Sequence, residues 1–306
     1  MRYQPLSKQL YINNRKRLLK ELKSNSLVVV NSNDIMPTNS DGSMRFRQNS
    51  DLFYLTGIDQ EESVLVLCPD FPDKKYREVL FVRETNEQIA TWEGHKYTKE
   101  EARAASGIET VLWTSEFHKL FNTMMVMGNV LNVYLNTNDH YRADIVIETR
   151  EARFVKWCRE KFPLHAYERL APIMHQLRSI KSSYEIEALQ TACDITNAAF
   201  RRVLKFVKPG VTEYEIEAEF AHEFLRSRSR GFAYEPIIAS GADSCVLHYI
   251  DNSKECKSGD ILLLDVGAEY ANYNADMTRT IPVNGKFTKR QKEVYNAVLR
   301  VQRGAM

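Results

Sequence analysis

SGDILLLDVGAEYANYNADMTRTIPVNG, residues 258–285, is the stretch in which one apolar run delivers a carboxylate and a second run answers it with another. Ile261 to Leu264 is a short branched apolar run bounded by Gly259 and Gly267, the pattern of a buried strand, and Asp265 ends it. After a polar connection from Tyr270 to Asn274, the alternation of Ala275 to Ile281 suits a returning strand. A hairpin turning on Tyr270 and Ala271 sets Asp265 directly opposite Asp276. Opposed Cβ atoms lie about 4.5–5.5 Å apart, and two like charges there repel unless a cation stands between them. A divalent metal pair meets that need, since two-metal hydrolytic sites hold their ions roughly 3.5–4 Å apart. Without a cation, burial pushes one of the two to protonate. The alternative is a pair of solvated aspartates on an edge hairpin in another register.

The rest of the chain excludes several classes of function. With 306 residues there is room for two domains, and 43% hydrophobic with 27% charged residues is an ordinary globular balance. Lys+Arg 42 against Asp+Glu 40 leaves +2, so no broad basic surface points to nucleic acid or an anionic membrane. The basic runs Arg15-Lys16-Arg17 and Arg226 to Arg230 read as solvated helix faces. No run approaches the ~18 apolar residues of a membrane span, and the first twenty residues lack an apolar signal core. A cytoplasmic protein is expected. The cysteines Cys68, Cys158, Cys193, Cys245 and Cys256 show no CxxC spacing and are expected to be reduced and mostly structural.

The first half alternates a helix at Leu6 to Leu22 with short apolar strands at Leu27 to Val30, Val64 to Leu67, Val79 to Val82, Thr110 to Trp113 and Leu131 to Leu135. Helices at Lys99 to Ala105 and Glu116 to Met127 lie among them, an α/β pattern, with Asn31 to Asn49 as a loop. From about Glu148 the chain turns helical. Capping boxes at Ser182/Glu185, Thr212/Glu215 and Thr288/Gln291 open helices at Tyr184 to Val207, Tyr214 to Arg230 and from Lys289 onward. Further strands are expected at Glu235 to Ala239 and Cys245 to Tyr249. The predicted domains are 1–175 and 176–306.

GFAYEPIIASGADSCVLHY (231–249) followed by the hairpin resembles the Xaa-Pro aminopeptidases, the aminopeptidase P branch of the pita-bread metallopeptidases. RFRQNSDLFYLTGI (45–58), TWEGHKYTKEEARAASGI (91–108) and LRSIKSSYEIEAL (177–189) resemble the same family's N-terminal domain and linker. The resemblance implies a creatinase-like α/β N-terminal domain followed by an α+β pita-bread domain, of which this chain holds the first half. It implies metal ligands at Asp265 and Asp276 and two divalent ions, usually Mn2+, whose bridging water attacks the peptide. His248 matches a catalytic, substrate-binding histidine, Tyr234 a pocket residue, and Trp92 a tryptophan that reaches a neighbouring subunit. Outside the resemblance His248 reads as a buried histidine bonded to a backbone carbonyl, Tyr234 as core packing and Trp92 as half-buried. Thr278, two residues from Asp276 on the same strand face, is a candidate to orient that carboxylate.

The resemblance implies further metal ligands, a histidine and two glutamates, and another histidine near the substrate, all expected beyond Met306. The expected parent activity is therefore release of an N-terminal residue from a peptide with proline second, with the 306-residue chain inactive by itself. Alternatives are an Xaa-Pro dipeptidase and a catalytically silent pita-bread protein that binds peptides or partners. Exposed apolar surface on the hairpin sheet is expected, with homo-oligomerisation through it or a poorly ordered C-terminal part.

Overall fold

The computed structural model describes residues 2–138, 142 and 145–306, and the chain divides into two units, Pro5–Tyr184 and Glu185–Met306 with the extreme N-terminal residues up to Gln4. That division falls beyond the expected boundary at 175/176, because the helix Ala171–Ser179 buries Met174 and Leu177 in the core of the first unit.

The strands of the first unit are β1 (Ser26–Asn31), β2 (Val64–Leu67), β3 (Glu78–Val82), β4 (Thr110–Trp113), β5 (Asn132–Leu135) and β6 (Ala166–Arg169). They form one sheet in the order β4-β3-β2-β1-β5-β6. Its helices are α1 (Lys8–Lys20), α2 (Ser50–Thr56), α3 (Glu87–Glu93), α4 (Lys99–Ser106), α5 (Phe117–Met127), α6 (Arg150–Lys161) and α7 (Ala171–Ser179). The apolar runs are continuous because both sheet faces are covered. Val28, Val30, Leu65, Leu67, Leu80 and Val82 pack on the side of α1, α2, α4 and α7. Their neighbours Leu27, Val29, Val64, Val66, Val79 and Phe81 pack against α5 and α6. Arg15 corrects the solvated-face reading of its basic run. Its guanidinium is buried, donating to the Leu55 and Ser106 carbonyls at 2.7 and 3.0 Å and to Glu78 at 2.9 Å.

The second unit carries α8 (Ser183–Phe206), α9 (Glu213–Arg226) and α10 (Lys289–Ala305) with β7 (Gly231–Phe232), β8 (Ile237–Ser240), β9 (Ile261–Val266), β10 (Ala268–Tyr270), β11 (Tyr273–Asn274) and β12 (Met277–Pro282). Two short sheets result, β11-β10-β7 and β12-β9-β8. Along β9 every second residue is buried: Leu262, Leu264 and Val266 face the α8 and α9 side chains Phe200, Val203, Phe220 and Phe224. Leu263 and Asp265 point the other way. The Thr288 capping box forms as expected, the Gln291 amide N–H donating to Thr288 Oγ1 at 3.2 Å and Thr288 N–H to Gln291 Oε1 at 2.8 Å. At α9 the Thr212 N–H reaches Glu215 at 2.8 Å.

Two expectations are overturned. Residues 245–249 are not a strand; a 3-10 turn, Gly241–Cys245, and an irregular segment replace it, pinned by the Glu213 carboxylate. Buried Glu213 accepts from Ser240 N–H at 2.8 Å, Ser240 Oγ at 2.7 Å, Tyr249 Oη at 2.8 Å and Lys254 N–H at 2.9 Å. Helix α9 ends at Arg226 rather than Arg230, since Arg228 adopts φ 67° and Arg230 turns inward onto Glu269 at 3.1 Å. None of the α10 side chains is buried, and Val294, Val298 and Val301 are exposed. No helix among the described residues is long and apolar enough to cross a membrane.

Candidate metal centre

Asp265 ends β9 on its open face, and in the observed hairpin it stands across from Thr278, with Met277 across from Val266. The predicted direct opposition of Asp265 and Asp276 is therefore incorrect. The turn falls on Ala271 and Asn272, at φ 52° and 65°, because Tyr270 pairs with Tyr273 and Glu269 with Asn274. Two successive left-handed residues make the tight turn that matches strand twist, and asparagine is one of the side chains that tolerates it. The ladder shifts by two positions, an even number, so both aspartates keep the same face. Asp276 meets Asp265 diagonally instead of head-on.

What joins them is Tyr234, in the connection between β7 and β8. Its hydroxyl lies 2.6 Å from Asp265 Oδ1 and 3.2 Å from Asp276 Oδ1, so the two carboxylate oxygens sit within two hydrogen-bond lengths of each other. One phenol proton serves the nearer oxygen while both negative charges crowd its lone pairs. Burial, then the bond to Asp265 and the charges of both aspartates, drive the Tyr234 pKa far above its usual value. The phenol is therefore a fixed donor at any physiological pH.

Gly267 explains how Asp276 reaches this position. A Cβ there would stand 1.8 Å from the Ala275 carbonyl oxygen, so the strands cross closely only because residue 267 has no side chain. The hairpin tip is fixed from below: buried Glu269 pairs with Arg230 through 3.1 and 3.2 Å contacts and accepts the Asn272 N–H, while Ala268 N–H donates to Thr196 Oγ1 at 3.0 Å. The Arg230 guanidinium lies 6.0 Å over the Tyr3 ring, and Tyr3 meets Tyr270 edge-on. Sequence reasoning missed Gly267, Arg230 and Glu269. A Gly between two β runs was the available signal for a close approach.

Of the other candidates, Thr278 shares the carboxylates' face and sits directly opposite Asp265. His248 is in an exposed turn, not buried on a carbonyl, and among the described residues it has no hydrogen bond to the aspartate pair. Its neighbour Tyr249 is buried and tied to Glu213, which fixes the backbone beside the imidazole. Trp92 is 82% exposed on α3, which overturns the half-buried alternative. Beside the carboxylates, a cavity of about 840 Å³ runs between the open faces of β9 and β12 and the apolar stripe of α10, with Leu263, Thr278, Val294 and Val298 on its walls.

Two carboxylates on one face, aimed at a common point, suit an oxygen-preferring divalent ion. They make only part of a centre. No group of three or more His, Cys, Asp and Glu side chains among the described residues is placed to hold a metal.

Residues 187–306 match Metallopeptidase family M24, and residues 11–134 match Aminopeptidase P, N-terminal domain. The Xaa-Pro aminopeptidase of Escherichia coli is 33% identical over 296 residues, covering 96% of this chain and 66% of its own length. A Bacillus anthracis structure assigned to aminopeptidase P superposes with TM-score 0.88 at 30% identity, over 96% of this chain and 70% of that one. The chain belongs to the aminopeptidase P branch of metallopeptidase family M24. It spans about two thirds of the length of these relatives. The M24 assignment agrees with a creatinase-like α/β domain followed by pita-bread elements. A zinc-substituted E. coli aminopeptidase P solved with product also superposes, with TM-score 0.82 at 31% identity over 97% of this chain and 67% of that one.

Proposed function

We propose that this M24 chain supplies two carboxylates to the active site of a metal-dependent aminopeptidase that releases an N-terminal residue from peptides with proline second. The observation that carries the reading is the single Tyr234 hydroxyl touching both Asp265 and Asp276, which makes the two carboxylates one site. The relatives named as Xaa-Pro aminopeptidases supply the substrate class.

Asp265 and Asp276 would hold two divalent ions, Mn2+ being the expected metal, together with ligands that the described residues do not provide. Bound divalent ions activate water for attack and polarise a carbonyl oxygen. Tyr234 holds the Asp265 carboxylate in one rotamer, since a donor already fixed to Oδ1 leaves its other oxygen free to ligate. Thr278 lies directly across the ladder from Asp265 on the same face. His248, exposed on a loop anchored through Glu213, is read as a substrate contact rather than a metal ligand. Its imidazole donates to a peptide carbonyl in this reading.

The test is hydrolysis of an Xaa-Pro-Xaa tripeptide and of an Xaa-Pro dipeptide by manganese-loaded protein in which the remaining metal ligands are present, beside the same protein carrying Asp265→Asn. Cleavage of the tripeptide that the substitution abolishes supports the reading. Preference for the dipeptide makes the protein an Xaa-Pro dipeptidase instead, and hydrolysis unaffected by Asp265→Asn contradicts the metal assignment.

A further inference from the structure

Residues 2–4 belong to the second unit, and among them Tyr3 alone turns inward: it is 4% exposed between the exposed Arg2 and Gln4. Terminal residues fray unless something ties them down. Here the tie is the tip of the hairpin that carries Asp265 and Asp276.

The Tyr3 ring meets the Tyr270 ring edge-on, with centroids 6.2 Å apart at 63°, and the Gln4 N–H donates to Tyr270 Oη at 3.4 Å. The Arg230 guanidinium stands over the same Tyr3 ring at 6.0 Å. That guanidinium spans the turn, donating to both oxygens of Glu269 on β10 and to Asn272 Oδ1 at 2.5 Å. Glu269 in turn accepts the Asn272 N–H. One aromatic ring therefore packs on a cation that fastens the turn to the strand before it.

The same turn sets where the two aspartates meet. Glu269 pairs with Asn274 and Tyr270 with Tyr273, a register fixed by positive φ at Ala271 and Asn272. The Ala275 N–H then donates to the Ala268 carbonyl at 3.0 Å, and Asp276 follows. A second tie is the Tyr273 hydroxyl, which donates to buried Glu185 of α8 at 3.4 Å. Without the Tyr3 ring, water reaches the Arg230–Glu269 pair, and an ion pair weakens as the surrounding dielectric rises. A looser turn releases Asp276 from the Tyr234 hydroxyl, whose 3.2 Å bond is the longer of the two.

We propose that Tyr3 is a positioning residue for the metal centre: the N-terminal arm clamps the hairpin tip and so holds Asp276 beside Asp265. The inference rests on the metal reading, and the first arm of its test is therefore free of metal. Coupling between two sites is reciprocal, so an ion at the carboxylates also tightens the arm.

Amide hydrogen exchange is measured on metal-free wild type, Tyr3→Ala and Tyr3→Phe, and Mn2+ is then titrated into all three by calorimetry. Tyr3→Ala is expected to speed exchange at Asn272 and Ala275 at least tenfold, with the α9 amides at their wild-type rates, and to weaken Mn2+ binding at least threefold. Tyr3→Phe keeps the ring and is expected to restore both. Unchanged exchange at Asn272 and Ala275 in Tyr3→Ala overturns the clamp. So does faster exchange with wild-type Mn2+ affinity, which makes Tyr3 a structural residue only. Should Tyr3→Ala not fold, Gln4 exchange in wild type decides: slower with Mn2+ supports the clamp, and unchanged overturns it. A wild type that binds no Mn2+ counts against the metal reading, and there the metal-free exchange rates alone decide the clamp.

Discussion

Asp265 faces Thr278 across the β9–β12 ladder, while Asp276 reaches the same point diagonally and shares the Tyr234 hydroxyl with it. The diagonal approach relieves part of the repulsion that direct opposition would impose, and the phenol supplies the donor. Tyr234→Phe leaves the Asp265 carboxylate oxygen without that donor. The expected loss is about 1.5–3 kcal/mol, read as a lower urea midpoint in metal-free protein, and it shrinks when Mn2+ is added because the cation replaces the lost positive end of the dipole.

Gly267 is the backbone counterpart of this arrangement. In Gly267→Ala the new methyl meets the Ala275 carbonyl at a 1.8 Å approach, and neither group is a flexible side chain that can swing away. Destabilisation of about 3 kcal/mol or more is expected. The fall in thermal midpoint should be accompanied by loss of Mn2+ binding, since the clash moves the residue just before Asp276.

Arg230 and Glu269 fix the hairpin tip as a buried pair, with side-chain exposures of 12% and 1%. Removing the cation alone strands the carboxylate. Arg230→Met is expected to cost about 3–5 kcal/mol, while Arg230→Met with Glu269→Leu recovers most of it. Chemical denaturation of the three proteins checks the ordering.

Glu151 sets a pH dependence in the first unit. Burial raises its folded pKa to about 8 from 4.5, the two donors from Asn31 pulling the other way, with Asp51 raising and Arg150 lowering it further. The folded state binds the proton more tightly than the unfolded one, so stability falls as pH rises through the window from about 4.5 to about 8. Thermal midpoints should decline across that window in the wild type and flatten in Glu151→Gln, whose neutral amide mimics the protonated acid once the Asn31 side-chain amide turns over. A wild-type profile that is flat or rising there contradicts this assignment.

Much of the fold was legible because both units are built from periodic elements. The strand runs at Val64–Leu67 and Thr110–Trp113 coincide with the observed ones; the first is buried on both faces and so is written as an uninterrupted apolar run, while the second is a partly buried edge strand rich in β-branched and aromatic residues. Strand β6, AYER, escaped notice because it lies half-exposed at the sheet edge and carries two charges. Helix α2 escaped because its seven residues are too few to show a period; the legible sign was Asn49, whose side chain accepts from Asp51 and Leu52 N–H. The candidate site was readable as a face but not as a register. Parity alone places Asp265 and Asp276 together, whereas the turn position depends on which two residues accept positive φ. Arg15 and Arg230 were misread because a charge run in sequence does not show which member folds inward. Each found a buried carboxylate or carbonyl supplied from elsewhere in its own unit.

The most direct measurement of the central claim is a Mn2+ titration followed by calorimetry on wild type, Asp265→Asn and Asp276→Asn, each checked for retained helix signal. A shared centre predicts that either substitution alone weakens Mn2+ binding at least tenfold. Wild-type affinity in folded Asp276→Asn, with loss only in Asp265→Asn, would show that the two carboxylates do not serve one site.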